Sequence, residues 1–357
     1  MRVLFTSPAL FGEGGVYGGG ERYALELART VAGKLGASTL YTAGERDGER
    51  EDGALRIVTR RPRAAVRGQA SNPFPRGLSH EIGGADVVHC FQQHIVLTSM
   101  AIALARLRGR RVFVTDLGGG GWDLSAYVDT ARWCTGLLHL SRYAASLQHR
   151  EADPRDRVLY GGAFATEQPR EDDGTVLFVG RLLPHKGPDV LVEAALPEWR
   201  VVVCGRPQEP RYRADLGALA QGKQVTFAED VDDAALLALY RRAAVVVVPS
   251  TDVDRYGNRT AVAELLGLVA LEAASHGVPV VASRVASLPE LVEDGVTGLL
   301  VPPHDAAALR TAIGSLLAAP QRRAALGAAA RRRALERFSW GAAADTAIAA
   351  YSGAPGR

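Results

Sequence analysis

The chain has 357 residues, 47% of them hydrophobic and 23% charged, which is globular composition and more length than one growing core usually holds. Its 42 Lys and Arg stand against 39 Asp and Glu, and a formal charge of +3 without a concentrated basic stripe argues against a nucleic-acid partner. Cys90, Cys134 and Cys204 are odd in number, far apart and in no Cys-x-x-Cys pair, which argues against a disulfide framework or structural zinc site and fits a reducing cytoplasm.

The start, MRVLFTSPALFGEGG, breaks its short apolar run at Pro8 and Gly12, so it lacks the core of a signal peptide. No stretch approaches the roughly 18 apolar residues of a membrane span. A first strand is expected over 3–6. Gly18, Gly19 and Gly20 then open a helix over 21–31, and they read either as a helix mouth whose first N–H groups face a cleft or as a flexible surface loop. Strands follow over 38–41, 87–89 and 112–115, the last running into Asp116, Leu117 and glycines 118–121. Short β-branched runs alternating with Ala/Leu/Arg-rich helical segments indicate repeated βαβ units with buried parallel strands.

The alternation pauses over 160–174, where YGGAFATEQPREDDG reads as an exposed connection. Domains are therefore expected over 1–165 and 166–337, with a final helical segment over 338–357. Beyond the pause a strand over 176–179 leads into Gly180, Arg181, Lys186 and Gly187. Two cations just past a strand end, at a turn into a helix, can neutralise a diphosphate leaving group. Strands over 201–204 and 225–227, a helix over 236–243 and strands over 245–248 and 278–282 complete the pattern. The pair Asp252 and Asp254 mimics a metal-binding Asp-x-Asp, but cations and a helix terminus already cover a diphosphate here, so no metal is expected. Arg331, Arg332 and Arg333 read as a solvated helix face, with weak contact to an anionic membrane surface as the alternative.

The strongest signal is ELLGLVALEAASHGVPVVAS, residues 264–283. Glu264 precedes a buried helix, Gly267 permits close backbone approach at its start, and Glu272 follows Glu264 after seven intervening residues. Free N–H groups at a helix start bind diphosphate, and two carboxylates nearby can grip sugar hydroxyls. The segment resembles the Glu-x7-Glu signature of retaining glycosyltransferases of the GT-B fold, family 4 type, also called the group 1 family. Gly180, Arg181, Lys186 and Gly187 resemble the same family's Gly-Arg-x4-Lys-Gly motif.

The resemblance implies an α/β fold of GT-B architecture, with two Rossmann-like domains whose parallel sheets face across a cleft. It implies a nucleotide diphosphate sugar as co-substrate, no cofactor, and an acceptor that the sequence does not identify. By the same likeness Glu264 contacts the transferring sugar, and Arg181 and Lys186 carry the leaving phosphate. The backbone of Gly267, Leu268 and Val269 binds phosphate, and Glu272 holds the ribose. Gly19, Gly20 and Gly180 belong to donor-binding loops, and Phe227 lies where the nucleotide base abuts. In relatives the last helix crosses back onto the first domain.

One departure stands out: the family commonly places a His after the strand corresponding to 112–115, where this chain has Asp116. Either Asp116 takes that polar role, or it caps the following glycine turn, or the role moves to His89 or His94. The Ala/Arg/Gly-rich composition suggests a GC-rich bacterial genome and natural-product, cell-envelope or small-thiol chemistry. The glycines at 18–20 have the wrong spacing for a dinucleotide-binding oxidoreductase, and a P-loop Gly-Lys-Ser/Thr is absent. A nucleotide-sugar epimerase of the same architecture and a non-catalytic binding module remain the competing readings.

Overall fold

The computed structural model describes residues 1–10, 18–69, 72–118, 122–166, 168–260 and 262–353. It divides into two compact units, Met1–Gly161 with Trp340–Arg357, and Gly162–Ser339.

In the first unit, in chain order, are β1 (Val3–Leu10), α1 (Gly19–Leu35), β2 (Ser38–Ala43), β3 (Gly48–Asp52), β4 (Leu55–Arg60) and α2 (Leu78–Gly83). They are followed by β5 (Val87–Phe91), α3 (Val96–Leu107), β6 (Arg111–Thr115), β7 (Gly136–His139), α4 (Arg142–Leu147) and β8 (Arg157–Val158). Among the described residues the sheet order is β3-β4-β2-β1-β5-β6-β7-β8, parallel throughout except for the β3–β4 pair. Consecutive Val3, Leu4 and Phe5 are all buried, because helices cover both faces of a parallel sheet and leave no polar side. The strand order reverses between β1 and β5.

The edge strand β3, paired with β4 in a hairpin, carries none of the β-branched pattern expected of a strand. Its β3 sequence, GERED, is almost entirely exposed and is held by ion pairs, Glu49 to Arg56 at 2.7 Å among them. A charged, antiparallel edge of this kind discourages pairing with a second chain.

The second unit contains β9 (Thr175–Val179), α5 (Pro188–Ala194), β10 (Val201–Cys204), α6 (Pro210–Leu219), β11 (Val225–Ala228), α7 (Asp233–Arg242) and β12 (Ala243–Val248). It continues with α8 (Leu268–Ser275), β13 (Val280–Ser283), α9 (Leu288–Leu291), β14 (Gly298–Val301), α10 (Ala306–Leu317) and α11 (Pro320–Arg337). The sheet, counted over the described residues, has order β11-β10-β9-β12-β13-β14 and is wholly parallel, with its reversal between β9 and β12. β13 begins later than the apolar run over 278–282 suggests, since Pro279 has no N–H to give the ladder. The Asp232 side chain accepts a bond from the Ala235 amide and starts α7 earlier than the periodicity did.

The last helix, α12 (Trp340–Ser352), belongs to the first unit. Its alanines allow close approach to α1, and Trp340 meets the Tyr23 ring at 5.2 Å while Asp345 pairs with Lys34 at 2.7 Å. Tyr351, fully buried, closes the contact against His89 at 2.6 Å.

Candidate functional site

The site in the second unit is assembled where β9 and β12 part. β9 ends at Val179; the next residue, Gly180, donates its amide to the Cys204 carbonyl at 2.9 Å, and Arg181 follows, exposed. The chain then makes a single 3-10 turn, Pro184–Lys186, and enters α5 through Gly187 in the left-handed region at φ 69°. A Cβ on Gly187 would stand 2.1 Å from the Pro249 carbonyl oxygen, so only glycine lets this turn lie against the end of β12. The Thr251 amide donates to the His185 carbonyl at 2.9 Å and fixes the same approach.

That placement brings two motifs together that lie 78 residues apart in the chain: Lys186 Nζ meets Glu264 Oε2 at 2.8 Å. Both side chains are largely covered, at 19% and 17% exposure, so the pair is neither a surface bridge nor a dry one. Ser250 Oγ lies 3.4 Å from the same carboxylate oxygen. The Glu264 backbone is held in turn, its carbonyl accepting from Ser287 Oγ at 3.1 Å.

Gly267 adopts φ 85° as the residue before α8, and a Cβ there would lie 2.9 Å from Leu288. Leu268 and Val269, half-buried, are the first helical residues, whose N–H groups no helix bonds internally. Glu272 lies in the second turn of α8, buried, and accepts a hydrogen bond from the Tyr240 hydroxyl at 2.7 Å. Phe227 on β11 is half-buried, with the Arg213 guanidinium 4.0 Å over its ring and Arg213 paired to Glu229 at 2.5 Å.

His185, between the two cations in sequence, carries no signal that distinguishes it in the motif. Burial pushes its pKa down to about 4, with Lys186 and Arg181 acting in the same direction and Glu264 and Asp254 opposing them. The imidazole is therefore neutral at pH 7 in a field set by both cations and the Glu264 carboxylate. Asp254 caps a turn, accepting from the Tyr256 amide at 2.8 Å and the Asn258 amide at 2.9 Å, while Asp252 is exposed. Among the described residues no group of three or more His, Cys, Asp or Glu is gathered as metal ligands.

In the first unit Gly19 and Gly20 are the first residues of α1. A Cβ on Gly20 would lie 3.4 Å from Leu117, so the mouth of α1 adjoins the segment after β6. Asp116 Oδ1 accepts from the amides of Gln93 and Gly118, each at 3.3 Å, and so ties the loop after β5 to the turn after β6. The glycines at 119–121 lie outside the described residues. His89 is fully buried, with ring nitrogens 2.6 Å from the Tyr351 hydroxyl and 2.8 Å from Thr115 Oγ1, and burial pushes its pKa down to about 3. Such a histidine is a structural strut rather than a group that meets substrate. His94 has φ 55° and lies 3.2 Å from Ser125 Oγ.

The arginine run on α11 is not the uniformly solvated face expected of it. Arg331 donates to the Thr166 carbonyl, and Arg333 lies 3.3 Å from the Glu290 carbonyl and 3.5 Å from the Glu293 carboxylate, leaving only Arg332 in the exposed class. Helical period turns the outer two residues of three toward different neighbours, which a linear charge run does not reveal. Among the described residues no helix is long and apolar enough to cross a membrane.

Residues 163–333 match the family of glycosyl transferases group 1. That stretch is similar to the family, and it lies within the second unit. The chain is 36% identical over 239 residues to the D-inositol 3-phosphate glycosyltransferase of Corynebacterium glutamicum (strain R), a match covering 58% of this chain and 54% of that one. It thus spans about half the length of the curated relatives it matches. Among solved structures it resembles a sucrose-phosphate synthase from Thermosynechococcus elongatus, with TM-score 0.72 and 22% identity over 99% of this chain and 98% of that one. Anabaena HepE, solved in complex with UDP and glucose, gives TM-score 0.70 at 18% identity over 99% and 100% of the two chains. These likenesses establish the fold, which is GT-B. The matched segment contains Arg181, Lys186, Glu264 and Glu272 together.

Proposed function

We propose that the protein is a retaining glycosyltransferase that moves a sugar from a nucleoside diphosphate sugar to a small-molecule or glycan acceptor. The observation carrying this reading is the Lys186–Glu264 pair at 2.8 Å, which puts a cation and a carboxylate at the mouth of α8. In this reading the diphosphate lies on the first N–H groups of α8, at Gly267, Leu268 and Val269, with Arg181 and Lys186 compensating the charge that grows as the anomeric bond breaks. Preorganised donors aimed at developing charge are usually the largest catalytic contribution.

Glu264 orients the sugar, Glu272 takes the ribose hydroxyls, and Phe227 lies beside the base with Arg213 stacked on it. Gly19 and Gly20 serve the donor, Asp116 serves the acceptor, and the acceptor attacks the face from which the nucleoside diphosphate leaves. The proton released by the acceptor hydroxyl passes to the departing phosphate, so no covalent sugar intermediate is needed.

A thermal-shift screen over nucleoside diphosphates tests donor binding, since a ligand at about 100 times its dissociation constant adds roughly 2.7 kcal/mol of apparent stability. The best nucleotide then defines a set of nucleotide sugars to incubate with acceptors, beginning with D-inositol 3-phosphate, which the relatives' names contain. NMR of the product reads the anomeric configuration. An inverted product overturns retention; an altered nucleotide sugar without transfer overturns the reading in favour of an epimerase.

A further inference from the structure

Tyr240 and His276 are built around Glu272, and the reaction scheme above uses neither of them. Tyr240 sits in the last turn of α7 and is 1% exposed; its hydroxyl donates to Glu272 Oε2 at 2.7 Å. Its ring stacks on the His276 imidazole, with centroids 5.4 Å apart and planes 9° from parallel. His276 is the residue that ends α8, one turn beyond Glu272, and it too is buried. The Phe164 ring meets the same imidazole edge-on at 5.5 Å and 81°. Phe164 is itself pinned, its amide donating to Ser275 Oγ at 3.0 Å while that hydroxyl donates to the Leu271 carbonyl at 2.8 Å.

We infer that Tyr240 is a positioning residue for donor recognition: its hydroxyl fixes the Glu272 carboxylate in the orientation that receives the ribose, and His276 holds the tyrosine ring in place. A glutamate has three rotatable side-chain bonds, and a carboxylate meant to grip two neighbouring hydroxyls gains by having its plane set beforehand. A phenol reaching in from another helix does this without adding charge. The flat contact with His276 removes the ring's freedom to tilt, and burial, aided by Arg331, Arg241 and Arg170, keeps that imidazole neutral with a pKa of about 4. The inference rests on the reading of Glu272 as the ribose ligand, and its test separates the two.

The test uses the full chain and two probes, the nucleoside diphosphate that binds most tightly and its 2′,3′-dideoxy counterpart, titrated by calorimetry against Y240F, E272A and the double variant. Y240F keeps the ring on His276 and removes only the hydroxyl. Loss of one charge-assisted hydrogen bond predicts about tenfold weaker binding of the ribonucleotide. The dideoxy nucleotide should bind wild type and Y240F alike, and in the E272A background Y240F should add nothing.

Equal weakening of both nucleotides, or a Y240F effect that survives in E272A, overturns the inference. If E272A leaves the ribose preference intact, the ribose reading of Glu272 fails first. If E272A abolishes that preference and Y240F does not reduce it, the inference alone fails. A second variant, H276L, retains apolar bulk but not the flat stack; it should lower ribonucleotide affinity and spare the dideoxy form, and equal loss for both counts against the positioning role.

Discussion

Replacing Lys186 by methionine keeps most of the aliphatic stem and removes the ammonium that lies 2.8 Å from Glu264. Two consequences are expected, and they separate. Glu264 is left 17% exposed with Ser250 Oγ at 3.4 Å as its remaining side-chain contact at that oxygen. A broken pair costs up to about 1 kcal/mol at the surface and roughly 3–5 kcal/mol when fully buried, so this intermediate site should lose about 2 kcal/mol. For a unit of this size that is a fall of about 4–8 °C in melting temperature. If Lys186 also carries leaving-group charge, kcat falls about a hundredfold, equivalent to roughly 2.7 kcal/mol of transition-state stabilisation. The discriminating protein is the double variant K186M/E264Q, in which no unpaired charge remains: melting temperature should return most of the way while kcat stays low. Calorimetry and initial rates with saturating donor measure both. A K186M enzyme within about threefold of wild-type kcat, against the expected hundredfold, would refute the leaving-group role.

Other outcomes are as specific. E272A should weaken donor binding with kcat largely kept, whereas E264A should lower kcat about a hundredfold with donor affinity changed little; equal rises in donor KM with intact turnover in both would remove the division of labour. D116N keeps a carbonyl oxygen able to accept from the Gln93 and Gly118 amides while losing the charge. Full turnover and an unchanged pH profile in D116N would make Asp116 a loop tie, and a kcat loss with unchanged melting temperature would give it a part in acceptor chemistry. His89 has a folded pKa of about 3 against roughly 6.5 when unfolded, so below about pH 6.5 the unfolded chain binds a proton that the folded chain does not. Its contribution to stability is complete above pH 6.5 and is lost toward pH 3, at about 1.4 kcal/mol per pH unit. H89Q should flatten acid destabilisation by that slope, measured by chemical denaturation at pH 7 and 4.5, and an undiminished slope counts against a neutral buried imidazole.

The sequence alone determined the alternation of buried parallel strands and helices, because a strand covered on both faces must be apolar along its whole length. It also marked Gly187 and Gly267, where the backbone needs a left-handed residue or has no room for a Cβ, and the Arg181, Lys186, Glu264 and Glu272 pattern, because those chemical types recur at fixed spacing. Polar edge elements such as β3 escaped it, since a strand open to water on its edge carries no burial signature.

Only the tertiary structure decided which partners these residues meet. Lys186 reaches Glu264 because two turns from different βαβ units end at the same sheet reversal, and no local pattern encodes a contact across 78 residues. The same holds for Tyr240 with Glu272 and for His89 with Tyr351, whose bonds join helices and strands that are remote in the chain. Residue type and period follow from local sterics and solvation; the pairing of polar side chains depends on where packing brings their backbones, and packing is a property of the whole sheet.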